Sequence, residues 1–459
     1  MPKESPPVST MDFPVINPNA AGADIGAERI FLAVPPDRSK EEVRIFATFT
    51  QDLNDAAQWL VDCGITTVAV ESTSVYWIPF TQIVESRGIQ ICLVNPRQVK
   101  NVPAAFKTDR RDSKWLRNLH AVGLLSSSFR PDQQVCAVRS IARHRNNLTK
   151  QASKCILHMQ KALSQMNILV HEVLSDITGQ SGMAIMTAIL DGHRDPGYLA
   201  RLCNGRVKAS QDQIKKALVG DWREEHLFTL RQSLESWRHF QAQIAACDKE
   251  IDHLMSAFEH DDNQPPSDQT PSLPSGPLAS RKRKTAKAQD DQKRRQLTNI
   301  FGVDLTLIPG ISVNTAEFLF TEVGADLSRF PSKDHFASWL GLAPNNRESG
   351  GKILSRKTRR TNNRLAAQLR LSANTLTRSD NYLGAYLRRM KSRLGAPKGI
   401  TATARKLATI IYTLATTRNP YDESIFAEQQ QRFRQKRLDF LIKEASALGY
   451  DFVQRQFVS

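Results

Sequence analysis

From residue 20 onward, short apolar runs arrive at a spacing that suits a sheet and little else. "GADIG" (22–26), "IFLAV" (30–34) and "VRIFATFT" (43–50) are separated by polar segments of turn length, as in an antiparallel meander. Thr50 is placed to cap a helix through "QDLNDAAQWLVDC" (51–63), which Gly64 ends. The pattern then alternates. "TTVAVES" (66–72) reads as a buried strand, "WIPFTQIVESRG" (77–88) as a helix, "IQICLVNP" (89–96) as another strand, and Asp109 to about Leu125 as a helix.

A three-strand meander followed by strands alternating with helices is the order of the ribonuclease-H-like fold, so the N-terminal part is expected to be α/β. The rest reads as α. In 133–175, Ile141, Leu148, Ala152, Cys155, Met159, Leu163 and Met166 recur at spacings of mostly three and four. From about Trp222 to Met255, Leu227, Leu230, Leu234, Trp237, Ile244, Cys247, Ile251 and Leu254 keep a heptad-like seam. Two such helices can form a hairpin packed on itself or a coiled coil joining protomers. Residues 260–298 read as a disordered basic linker: "QPPSDQTPSLPSGP" cannot bury a core, and "SRKRKTAKAQDDQKRR" carries eight basic residues against two acidic. "LTLIPGISVNTAEFLFTEVG" (305–324) has the helix, tight Gly310 turn and helix of a helix–hairpin–helix, whose backbone N–H groups can face a phosphate. The expected organisation is a disordered tail 1–19, an α/β domain 20–130, a helical or coiled-coil domain 131–259, the linker 260–298, a C-terminal domain 299–420 and a helical tail 421–459.

Composition narrows the partners. A net charge of +17 suits a polyanionic partner. The excess is steepest between Asn345 and Gly395, where 13 Lys or Arg face two acids, Glu348 and Asp380; that asymmetry points to nucleic acid. No apolar run approaches the length of a membrane span, and the N-terminus lacks the apolar stretch of a secretion signal. The six cysteines form no CxxC pair, which argues against a disulfide framework or a zinc site and fits a reduced, cytoplasmic setting.

Within this basic chain, "AAFKTDRRDSKWLRNLHAV" (104–122) keeps two carboxylates, Asp109 and Asp112, among Lys107, Arg110, Arg111 and Lys114. Three residues apart on a helix, they share a face. An isolated pair of this kind is usually a surface feature. Two further acids alter the reading, because Asp24 and Glu71 lie within buried-type strands, where a charge is costly unless it is paired or binds a cation. First and fourth strands are neighbours in a ribonuclease-H-like sheet, with a later helix beside their ends. Asp24, Glu71, Asp109 and Asp112 are therefore expected to converge. Four mutually repelling carboxylates suit magnesium, a hard cation that prefers oxygen ligands, and two such ions can clamp a phosphodiester. The neighbouring bases, Lys107, Arg110 and Arg111, would then meet the polyanion.

Taken together, "DIGAERIFLAV", "AVESTSVYW", "LVNPRQVKN" and "KTDRRDS" resemble the N-terminal domain of DEDD-type insertion-sequence transposases, whose nuclease-like domain is RuvC-like. "LTLIPGISVNTAEFLFTEVG" with "FASWLGLAPNNRESGGK" resembles their C-terminal transposase domain. The resemblance covers roughly residues 20–258 and 298–420 and implies a site-specific DNA recombinase acting in a prokaryotic cytoplasm, at the nucleoid. It implies that Asp24, Glu71, Asp109 and Asp112 bind Mg2+, and that Ser349, in "ESGGK", attacks DNA and becomes linked to it. It further implies a structured bridge RNA pairing with donor and target DNA. The implied assembly is a tetramer, a dimer of dimers, in which one protomer's metal site meets another's serine. Ser349 precedes two glycines that allow close backbone approach to phosphate, and Lys352, Arg356, Lys357, Arg359 and Arg360 follow to meet its charge. Glu348 could orient the hydroxyl or be a turn acid. Alternative readings are a metal-dependent junction resolvase that needs no serine, a non-catalytic nucleic-acid-binding protein, and a sugar-kinase or actin-like ATPase. The last finds no Gly-rich phosphate loop in support.

Overall fold

The computed structural model describes residues 14–72, 74–96, 99, 108–258 and 281–450, with the side chains of 281–287, 289, 427, 429, 430 and 434 left out. The chain divides into two compact units, one up to Arg130 and one from Pro131.

In the first unit, β1 (Ala20–Ile25), β2 (Arg29–Ala33) and β3 (Val43–Ala47) form the antiparallel meander, and β4 (Thr67–Glu71) and β5 (Gln90–Val94) extend it in parallel. The sheet order is β3-β2-β1-β4-β5, so the first and fourth strands are neighbours as expected. One face carries the main core. Ala21, Ala23 and Ile25 of β1, with Val68 and Val70 of β4, pack against α1 (Thr50–Asp62) and α2 (Trp77–Ser86) through Leu53, Ala57, Leu60, Phe80 and Val84. Alternation of side chains along a strand sends Ala20, Gly22 and Asp24 to the other face, where α3 (Asp109–Ala121) lies. Strand β1 is thus covered on both sides, which explains its run of small residues. Gly64, at positive φ, ends α1 as expected, but the helix begins at Thr50 itself and its cap position is Phe49.

Several anchors hold α3 on the sheet. Its backbone passes so close to β1 that a Cβ on Gly22 would stand 2.3 Å from the Ser113 carbonyl oxygen and 2.4 Å from the Arg117 nitrogen. Only glycine fits. Arg117 donates to the Val34 carbonyl at 2.8 Å and pairs with Glu42 at 3.0 Å, and Lys114 pairs with the same carboxylate. Buried His120 meets the Thr67 hydroxyl at 2.9 Å. Asn17 Nδ2 donates to the His120 carbonyl, and the amides of Ile16 and Asn17 donate to that of Ala121. Residues 1–13 of the expected disordered tail lie outside the described residues, and the part from residue 14 is held in place: Asn17 and its neighbours tie down the C-terminal end of α3, using carbonyls that a helix leaves unpaired.

Among the described residues, the second unit is helical apart from one hairpin. The long helices α4 (Gln133–Gln165) and α9 (Glu224–Ser256) pack on each other, with α5 (Val170–Val173), α6 (Gln180–Leu190), α7 (Pro196–Arg201) and α8 (Gln211–Ala217) at one end. They run antiparallel: Arg145 pairs with Asp248, while Met159 and Leu163 share a core with Leu227, Leu230 and Leu234. Helix α4 ends earlier than the periodicity predicts because Asn167 turns the chain at positive φ. Within this chain the two helices form a hairpin.

The expected linker needs correction. Residues 259–280 lie outside those described, but α10 (Arg281–Phe301) is a helix, with Leu297, Ile300 and Phe301 buried and Lys293 bridging Asp252 and Glu317 at 3.3 and 3.0 Å. Its Lys, Arg, Ala and Gln are good helix formers, and their charge disguised this. Next, Leu305–Leu307 is a single 3-10 turn held by the Asp304 side chain, rather than the first full helix of the expected motif. Beyond it come α11 (Val313–Val323), α12 (Lys333–Trp339), β6 (Arg347–Ser349), β7 (Lys352–Ser355), α13 (Arg364–Thr375), α14 (Tyr382–Leu394), α15 (Ala396–Thr417) and α16 (Ala427–Ala447). Buried Glu322 at the end of α11 ties three elements together. It receives Arg143 of α4 at 2.7 Å, Arg364 of α13 at 3.6 Å and Arg139 at 3.8 Å. Among the described residues no helix is long and apolar enough to cross a membrane.

Candidate active site

The acidic site is built on the α3 face of the first unit's sheet. Ala23 of β1 pairs with Val70 of β4, so Asp24 and Glu71, one residue further along, occupy neighbouring positions at the C-terminal ends of two parallel strands. The close approach at Gly22 then fixes α3 across the same face, two residues before Asp24. On α3 the stripe 109, 112, 116, 119 faces inward: Leu116 and Leu119 are buried, and Asp112 and Asp109 continue the stripe toward solvent at the helix start. Thr108 caps that helix by accepting from the Arg111 amide, and the positive end of the helix dipole favours both aspartates in its first turn.

The four acids share an electrostatic field. Burial first, and then repulsion from Asp109, Asp112 and Glu71, pushes the Asp24 carboxyl up to about 6, against the pull of a backbone hydrogen bond at Ile25. Among the described residues no three His, Cys, Asp or Glu side chains are gathered closely enough to hold a metal ion. The set of donors nonetheless fits a hard divalent cation. All are carboxylate oxygens, and a cation placed among them relieves the repulsion that raises Asp24.

Of the bases expected beside these acids, Lys107 lies outside the described residues, and Arg110 and Arg111 are exposed on the first turn of α3. Lys114 serves a different purpose, in the ion pair with Glu42 that anchors the helix.

The serine lies in the second unit. Ser349 ends β6 of an exposed two-stranded hairpin, whose turn residues Gly350 and Gly351 both have positive φ (54° and 73°), as in a type I′ turn. Ser349 pairs with Lys352 across the hairpin, and Glu348 with Ile353. Paired residues share a face and successive residues alternate. Ser349 therefore shares its face with Lys352 and Arg347, while Glu348 belongs to the opposite face. This assigns Arg347 to the serine's surroundings, a residue that sequence reasoning missed because the assignment needs the strand register. Lys352, Arg356, Lys357, Arg359 and Arg360 are all exposed. Gly310 turns at positive φ, and a Cβ there would stand 3.0 Å from the Ser372 carbonyl oxygen and 3.2 Å from Leu376, so backbone conformation and packing together favour glycine.

Two family models match this chain. One, for DEDD-type transposases of the IS110 group and described as "Transposase", matches residues 21–168. The other, described as "Transposase IS116/IS110/IS902 family", matches residues 304–388. The chain belongs to the IS110 family of DEDD transposases. The first match contains Asp24, Glu71, Asp109 and Asp112; the second contains Gly310, Ser349 and the five exposed bases that follow it. The chain is also similar to a curated relative, the "Insertion element IS110 uncharacterized 43.6 kDa protein" of Streptomyces coelicolor, at 38% identity over 90 residues. That alignment takes in 19% of this chain and 22% of the relative, so the chain spans about a fifth of the length of the curated relative it matches.

Proposed function

We propose that this chain is the transposase of an insertion sequence, cutting and rejoining DNA strands with four carboxylates and one serine. In this reading its first unit is a ribonuclease-H-like, RuvC-like nuclease domain. Asp24, Glu71, Asp109 and Asp112 hold Mg2+, which supplies Lewis-acid stabilisation of a phosphodiester when bound. The single observation that carries the reading is the convergence of acid fields on Asp24, pushed up to about 6 by burial and its three partners. A fold that buries Asp24 against the charge of three other carboxylates, on a strand otherwise closely packed, gives up stability for function.

Ser349 is the nucleophile. Its Oγ bonds to phosphorus, the bond to one deoxyribose oxygen breaks, and that oxygen leaves as a hydroxyl. Lys352 and Arg347, on the serine's own face, offset the charge that develops on the phosphate. Arg110, Arg111, Arg356, Lys357, Arg359 and Arg360 position the DNA backbone, with Lys107 and the Gly310 turn assigned to the same duty on sequence grounds. Guidance by an element-encoded bridge RNA, assembly as a dimer of dimers, and action at the nucleoid follow from membership of the family as the chain's resemblance implies it.

The test is a denaturing gel of protein incubated with element-end DNA and magnesium, together with the RNA that co-purifies from cells carrying the element. The wild type should yield a DNA strand covalently linked to protein, absent from Ser349→Ala and Asp24→Asn. Complete strand exchange by Ser349→Ala would favour a junction resolvase, and full biological activity of Asp24→Asn and Asp109→Asn would favour a non-catalytic binder. Sequencing the co-purified RNA decides the guide: one discrete element-encoded species supports it, and bulk cellular RNA alone removes it.

A further inference from the structure

The hairpin that bears Ser349 has a second feature that the serine chemistry does not use. Its ladder slips by one residue: Ser349 pairs with Lys352 and Glu348 with Ile353, but Arg347 pairs with Ser355. Leu354 is thus an extra residue in β7, a bulge outside the ladder. Bulges of this kind bend a strand and re-aim a side chain. Leu354 is 70% exposed and its neighbour Ile353 42% exposed. Every residue from Pro344 to Gly351 is exposed as well, and the base of the hairpin is closed by the Pro344–Thr358 bridge and by the Asn345 amide donating to the Lys357 carbonyl at 3.1 Å. A two-stranded ribbon of this kind gains little from its own pairing.

What meets these exposed apolar side chains of β7 follows from their size and their surroundings. Two side chains expose far less area than the roughly 1,200 Å² of a stable protein interface. They are enough for insertion at a base step, which takes one apolar wedge. The flanking residues Arg347, Lys352, Arg356, Lys357, Arg359 and Arg360 oppose a single acid, Glu348, which is the charge balance of a surface that meets phosphate.

Resting on the strand-transfer reading above, we propose that Leu354 is a wedge that inserts into the base stack of the bound DNA duplex beside the phosphate attacked by Ser349. Unstacking at that step loosens the backbone, bringing the phosphate within reach of the exposed serine. Leu354 is in this sense a positioning residue: it bonds to nothing, and acts by deforming the substrate.

The test uses the full chain with its co-purified RNA and duplexes spanning the element end, each with 2-aminopurine at one position near the cleavage point. Wild type should raise the fluorescence of one step several-fold on binding, before any cleavage. Leu354→Ser should abolish that rise and slow covalent-adduct formation about tenfold or more, with little change in duplex affinity, because phosphate contacts dominate affinity. Leu354→Met, apolar and of similar reach, should restore both. The inference is overturned if no step brightens in the wild type, or if Leu354→Ser matches wild type in fluorescence and rate. It is also overturned if Leu354→Ser is slow only because sedimentation shows that its assembly has dissociated, since the residue would then touch a second copy of the chain. Absence of any adduct in the wild type would remove the serine chemistry instead; the fluorescence arm judges Leu354 independently of it.

Discussion

Replacing Asp24 by asparagine should make the metal-free protein more stable. The Asp24 carboxyl sits at about 6 against an ordinary 3.8, because burial and three neighbouring carboxylates oppose its charge. A difference of that size corresponds to about 3 kcal/mol for a fully buried group. Asp24 is only half-buried, and solvent screening brings the expected effect down to roughly 1–2 kcal/mol, or about 3–6 °C in the melting temperature of a unit this size. Its pH dependence follows from the direction of the shift. The folded protein holds the proton more tightly than the unfolded chain, so stability falls as pH rises from about 4 to about 6, and the full penalty persists above that. The substituted amide does not titrate. Urea or thermal denaturation in chelator should therefore show Asp24→Asn more stable than wild type at pH 8, the gap closing as pH falls from 6 to 4. Added magnesium should narrow or reverse the gap at pH 8, since a cation offsets the repulsion only in the wild type. A variant no more stable at pH 8, or a gap independent of pH, would refute the reasoning.

Further predictions concern the scaffold. Gly22→Ala should destabilise by about 1–3 kcal/mol or more, because the new methyl meets the Ser113 and Arg117 backbone, which cannot swing aside; urea denaturation measures the loss, and divalent-cation binding should weaken with it as α3 is displaced. Glu322→Gln should cost about 2–4 kcal/mol in urea denaturation, since Arg139, Arg143 and Arg364 lose the carboxylate they share. Gly351→Ala should cost about 1–2 kcal/mol locally, because the turn needs positive φ there; hydrogen exchange should quicken in residues 347–355, and adduct formation should slow while the global melting temperature holds.

Much of this arrangement is legible in the sequence because it rests on local rules. Alternating apolar runs announced the strands, and an acid inside each of two such runs, at Asp24 and Glu71, is an anomaly visible in sequence that the strand pairing sets side by side. The 109/112 spacing put two more acids on one helical face. What stayed hidden depends on contacts between distant residues. Gly22 looks like any small residue in "AAGAD" until α3 is laid across it, and Lys114 looks like a DNA contact until Glu42 is found beside it. The helix from Arg281 looks like linker because its run of charge masks its helix propensity, and its buried end at Leu297, Ile300 and Phe301 becomes visible only once it is packed. The opposite faces of Ser349 and Glu348, and the bulge at Leu354, depend on a strand register that no single strand encodes.

The most direct test of the acidic centre is calorimetric titration of Mn2+, standing in for Mg2+, into the wild type and into Asp24→Asn, Glu71→Gln, Asp109→Asn and Asp112→Asn. If the four carboxylates serve one cation site, the wild type binds and each single variant loses about tenfold or more in affinity, as expected when one ligand or its close support is removed. Wild-type affinity in Asp109→Asn and Asp112→Asn would show that the helix and the strands do not share a site, and the account would be wrong at its centre.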